Sequence, residues 1–229
     1  MKLFNSVLVG ASLAMATIAA APASAQVQGN IATVNAPAAI INTNAFTTAY
    51  QQIGTTYKPQ IDTIQARQQE SQTLLQQLDT NKDNQLDEAE QQAAQNTPQA
   101  TRLQAIEQEV GQLTNQIEAA RVYAIEQILA QYRPSLEQVV QQRQIQLVLS
   151  PEAVIYAPQA ANITQQVTTA LNAKVPSVQI VPPANWQPTR NAVALYQQIQ
   201  QTLATAQAIQ AQQQAAQAQQ QNPQAPSGR

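Results

Sequence analysis

The chain has no cysteine and no histidine among its 229 residues. Without thiols there can be no disulfide, and without imidazole there is no serine–histidine catalytic pair. The soft-ligand sets that hold zinc are missing as well. Aromatic residues make up 4% and charged residues 10%. Five glycines serve the whole length. A large compact core is hard to build from such material. The net charge of −2 excludes a broadly basic nucleic-acid binder. What replaces the missing residues is glutamine, roughly a fifth of the chain against ordinary usage of a few per cent, together with alanine and scattered aliphatics. That composition points to elongated helices.

Residues 1–25, "MKLFNSVLVGASLAMATIAAAPASA", read as a secretory signal peptide. Lys2 is the charged start, an apolar run follows through Ala20, and Ala23-Ser24-Ala25 gives a small-x-small cleavage site. The run is too short for a convincing membrane span. Cleavage leaves a chain beginning at Gln26 with a net charge of about −3, which places it in the periplasm.

Ile31 to Val34 form a short β-branched run that predicts a strand. From Asn44 the period becomes helical, with Phe46, Tyr50, Ile53, Tyr57, Ile61 and Ile64 recurring every three or four residues. The seam then weakens through Gln68, Ser71, Leu75 and Leu78. A second arm is cleaner: Leu103, Ile106, Val110, Leu113, Ile117, Ala120 and Ala124 step as a heptad seam. Thr97-Pro98 is a helix start, so the arms fold back as an antiparallel helical hairpin over residues 44–142. Pro59 and Pro134 lie about equally far from that turn, and each should break its helix.

Residues 145–149 and 153–157 read as two further strands around a Ser150-Pro151 turn, and Asn162 opens a helix through Leu171. The fold class is therefore α+β and mostly α, a coiled-coil tentacle projecting from a small β-rich body. Residues 174–189 read as a Pro-rich linker. Residues 190–229 read as a Gln/Ala-rich tail, helical over 193–209 and then disordered.

"IATVNAPAAI", the long hairpin, then "LVLSPEAVIYA" and "NITQQVTTALN" resemble, in that order, the OmpH-like (Skp) periplasmic chaperones over residues 29–173. The resemblance implies a homotrimer whose strands join in a β-barrel trimerisation body. Its hairpins would surround a cavity that holds unfolded outer-membrane proteins and prevents their aggregation. Neither ATP nor a catalytic residue nor a cofactor is implied. The best-known members are strongly basic; this chain is slightly acidic, which leaves membrane or lipid contact open.

One stretch stands apart: "DTNKDNQLDEAE", residues 79–90. Its oxygen donors fall at the spacing of a twelve-residue EF-hand calcium loop. Asp79, Asn81, Asp83, the carbonyl of Gln85, Asp87 and Glu90 occupy positions 1, 3, 5, 7, 9 and 12. Asn84 takes the place of the usual glycine at position 6. No second loop accompanies it. The opposing expectation is a polar break that caps the next helix, with Asp and Glu favoured by its dipole. A calcium-binding structural coiled-coil protein of the envelope is thus the alternative to a chaperone. The cluster is too local to suggest the paired-carboxylate cleft of an enzyme.

Overall fold

A computed structural model describes residues 30–221, so the expected signal peptide lies outside the described residues, as does the end of the tail. The chain runs β1 (Asn30–Thr33), α1 (Ala36–Ile41), α2 (Asn44–Thr56), α3 (Lys58–Leu78), α4 (Glu88–Ala94), α5 (Pro98–Ala130), α6 (Tyr132–Gln142), β2 (Ile145–Leu149), α7 (Thr164–Lys174) and α8 (Arg190–Gln221).

Local chemistry sets most helix ends. Asn35, Thr43 and Thr97 each accept the N–H of the residue three positions on, capping α1, α2 and α5. Pro98 follows Thr97 at the start of α5, where a missing N–H costs nothing. Each arm breaks just before its proline: α2 stops at Thr56 ahead of Pro59, and α5 stops at Ala130 ahead of Pro134. A proline inside either helix would leave a carbonyl without a donor and clash with the preceding turn.

The arms run in opposite directions. Arg67 on α3 reaches Glu109 on α5, while Glu70, one turn further along α3, reaches back to Arg102. α2 packs on the later part of α5, and α6 packs on α7. The main core gathers Ile40, Phe46, Ile125, Ile128, Val139, Val167 and Leu171 with residues of α8. A smaller cluster of Ile53, Ile117 and Ala120 lies further out along the arms.

β1 and β2 pair in parallel, brought together by everything between them, and Thr33 also bridges Asn162. The strand expected at 153–157 is not formed. Pro151–Ala153 make one 3-10 turn, and Ile155 and Tyr156 extend into solvent at 108% and 86% exposure. Pro151 and Pro158 lack the amide that a ladder needs, and among the described residues no neighbouring strand offers itself as a partner. The helix expected to open at Asn162 starts two residues later: the Asn162 side chain accepts the N–H of Thr164, and α7 begins there.

The Pro-rich stretch 174–189 docks on the core through Val178 and Trp186. The helix expected over 193–209 is part of a longer one, Arg190–Gln221, and buries Ala192, Leu195, Tyr196 and Ile199 in the main core.

Candidate functional site: an open helix seam and a closed acidic loop

The seam between the arms changes character along its length. α2 buries Ala45, Phe46, Ala49 and Ile53, whereas α3 buries no residue at all. The reason is in the sequence: where α2 offers Phe46, Tyr50 and Ile53, the continuation of that face offers Gln68, Ser71 and Leu75. Facing them on α5 are Leu103, Ile106 and Val110. The result is an open groove of about 550 Å³ with an aliphatic floor and glutamines, Gln68, Gln72 and Gln104, on its walls. Leu75 remains 40% exposed.

Ion pairs hold this open region instead of packing. Arg102 donates to both oxygens of Glu70, at 2.6 and 3.0 Å. Arg67 bridges Glu70 at 2.9 Å and Glu109 at 2.7 Å. Hydrogen bonding from Arg102, and then from Arg67, holds the Glu70 carboxyl below its ordinary range despite some desolvation. Arg102 is therefore half-buried in an inter-helix network.

At the far end of α3 lies the acidic loop. Asp79 is 8% exposed and turned inward. One carboxylate oxygen accepts the N–H of Lys82 at 2.7 Å and of Asp83 at 3.2 Å; the other accepts that of Asn84 at 2.8 Å. Lys82 and Asn84 take left-handed φ values of 63° and 65° to aim those amides. Asn tolerates that conformation better than most residues. Glu90, 6% exposed, closes the ring. Its Oε1 accepts the Thr80 hydroxyl and the N–H groups of Thr80 and Asn81, and its Oε2 accepts the N–H of Asp87. The Asp87 carboxylate in turn accepts the N–H of Glu90, a complete capping box at the start of α4. The hydrogen bonds from Thr80 and Asn81 hold the Glu90 carboxyl below its ordinary range.

Of the six expected calcium ligands, then, Asp79 and Glu90 turn inward onto backbone amides. Asn81, Asp83, Gln85 and Asp87 stay exposed, with Asn81 and Asp83 bonded to each other at 3.1 Å. Among the described residues, no group of three or more acidic side chains is arranged to hold a metal ion.

The body presents a second exposed surface. Ile31 and Leu147 on the two strands join Ile155 and Tyr156 in facing solvent. Beside the sheet, a cavity of about 950 Å³ separates α8 from β2, with Tyr132, Val148, Leu149 and Ile209 in its wall. Four tyrosines pack in different ways. Tyr50 stacks on Phe46 at 4.1 Å, with the Arg121 guanidinium 5.8 Å from its ring centre, and burial pushes its hydroxyl up to about 12. Tyr123 meets Trp186 edge-on at 5.2 Å, Tyr132 packs against the main core, and Tyr57 against the outer cluster.

The family model described as "Outer membrane protein (OmpH-like)" matches residues 30–171, more than half of the chain. The chain belongs to the OmpH-like family. A crystal structure from Caulobacter crescentus CB15, a candidate outer membrane chaperone (OmpH-like), is similar to it at 22% identity and a TM-score of 0.46. That similarity covers 69% of this chain and 94% of the other. No curated protein matches the sequence. Among the described residues, no helix is long and apolar enough to cross a membrane.

Proposed function

We propose that the protein is an ATP-independent holdase chaperone of the periplasm that binds unfolded outer-membrane proteins and keeps them from aggregating. Family membership supports the class. The observation that carries the mode of action is the open seam, where half-exposed leucines alternate with glutamines along two helices. Such a surface can hold many unrelated chains through weak contacts, because no pocket selects one side chain. The chemistry needs no cofactor or catalytic group.

We also infer a homotrimer assembled through the body. The outer edge of β2 has no strand partner among the described residues, and two strands are too few to stand as a sheet unaided. Ile31, Leu147, Ile155 and Tyr156 supply apolar surface beside that edge. Light scattering should give three times the mature chain mass; a monomer at micromolar concentration contradicts this assembly.

The test of function is to dilute a urea-unfolded outer-membrane β-barrel protein into buffer with the mature chain and follow turbidity. Suppression without nucleotide is the expected result, and undiminished aggregation overturns the reading. A second reading, calcium binding by residues 79–90, is favoured by one observation: Asn84 adopts the left-handed conformation for which the loop pattern uses glycine. Binding would be weak, about 10⁻⁴ to 10⁻³ M, and would require Asp83 and Asp87 to turn inward. Titration calorimetry tests it, and the turbidity assay repeated with chelator tests whether it bears on function.

A further inference from the structure

The protein already holds one piece of non-helical polypeptide against its own arms. Residues 178–181 lie along α5 with Val178 and Ile180 partly buried and Gln179 and Val181 exposed, an in–out alternation that ends in a bend at Ile180 and Val181. Ile180 packs on Ile53, Ile117 and Ala120, the outer cluster between the arms, and Val178 packs on the main core. Between them, the Gln127 side chain grips the backbone from both sides. Its Nε2 donates to the Gln179 carbonyl at 2.8 Å, and its Oε1 accepts the Gln179 N–H at 2.9 Å. A carboxamide used in this way replaces the two bonds that a neighbouring β-strand would make. It reads only the backbone, so it is indifferent to sequence. The strap is finished by Trp186, whose indole N–H donates to Glu126 at 2.7 Å, and by the Thr189 N–H on the other oxygen of Glu126 at 3.0 Å.

The same two ingredients recur further along the same helix pair, where no segment among the described residues is seated on them. The distal groove has an aliphatic floor of Leu75, Leu103 and Val110, with Gln68, Gln72 and Gln104 exposed at its rim. We propose that the distal groove binds extended segments of client polypeptide as the strap is bound: glutamine carboxamides pair with the client backbone while alternate apolar side chains enter the seam. This rests on the chaperone reading and specifies its partner chemistry, an extended chain with an apolar residue at every second position. Such alternation is the pattern of a membrane β-strand before it folds. It also gives the glutamine-rich arms a use that charge does not supply, since Glu107 is the sole charged residue lining the groove.

The experiment uses the full mature chain in two arms. In the first, Gln68→Met, Gln72→Met and Gln104→Met are combined; methionine keeps length, helix propensity and apolar contact but removes the carboxamide. Affinity for a fluorescently labelled, urea-unfolded outer-membrane β-barrel protein should fall about tenfold, the loss of a few net hydrogen bonds. Equal or tighter binding overturns the proposal and leaves a holdase that works by apolar contact alone. Failure of the unsubstituted chain to bind overturns the chaperone reading and the proposal together. In the second arm, Gln127→Met is read without any client through Trp186, the single tryptophan. Its emission should shift to the red and acrylamide quenching should rise about twofold, because the strap loses both backbone bonds. Unchanged emission overturns the carboxamide grip at its source.

Discussion

The two halves of the helix pair are built on one repeating pattern and end in opposite states. Near the body, Ile53, Ile117 and Ala120 are sealed and Ile180 from the strap closes over them. Toward the tip, Ile106 is the last buried seam residue of α5, and its neighbours Leu103 and Val110 are only half-covered. The heptad on α5 runs through both regions without a miss, so the difference comes from α3. A seam needs apolar residues from both sides, and α3 answers leucine with glutamine and serine. The distal half is held by Arg67, Glu70, Arg102 and Glu109 at its surface, contacts that fix direction and register but contribute little to stability in water. Packing makes the near half rigid; its absence leaves the far half available.

The contrast can be broken most sharply by one substitution made in two places. Leu171→Ala, at a fully buried position in α7, should destabilise the chain by about 2–5 kcal/mol in urea unfolding. Leu75→Ala, at a position left 40% open, should cost less than about 1 kcal/mol. Equal costs would mean that the distal seam is closed in solution.

The acidic loop sharpens the comparison by pH. The Glu90 carboxyl is held low by the hydroxyl and amides it accepts, so its contribution is present above the unfolded carboxyl value of about 4.3 and is lost as pH falls through the lower folded value. Amide exchange measured over residues 79–90, corrected for intrinsic pH dependence, should stay flat from pH 7 to pH 5 and rise below about pH 4. A rise already at pH 6 would contradict the assigned bonds. The smallest effect belongs to the ion pairs. Arg102→Gln should loosen the distal arms only at low ionic strength, with the difference gone in 1 M NaCl because the pair is half-exposed and screened.

These contrasts were partly legible in the sequence, and the division follows the range of the interaction. Thr97-Pro98, the breaks ahead of Pro59 and Pro134, and the heptad from Leu103 to Ala124 are local signals, and the helices obey them. The Asp87–Glu90 capping box is local too. The loop's ring of amides was visible as spacing, but what the oxygens of Asp79 and Glu90 would hold was not. A strand at 153–157 has the right residues, but a strand exists only through a partner. The Arg102–Glu70 pair was not legible in the sequence, because it is set by the register between two helices. The strap was missed for a related reason. Val178, Ile180 and Trp186 sit in a Pro-rich stretch with no helical period, and their docking depends on Gln127 and Glu126, far away in the chain. Alternation at 178–181 was the one available signal, too short to stand alone.

The most direct measurement is hydrogen–deuterium exchange of the mature chain with and without a bound, unfolded outer-membrane β-barrel protein. The account predicts new protection along 64–78 and 99–113, the two walls of the open groove, with the strap at 175–189 and the sealed seam around Ile117 unchanged. Protection confined to the strap or the body, with the distal arms as fast as in the free protein, would contradict it.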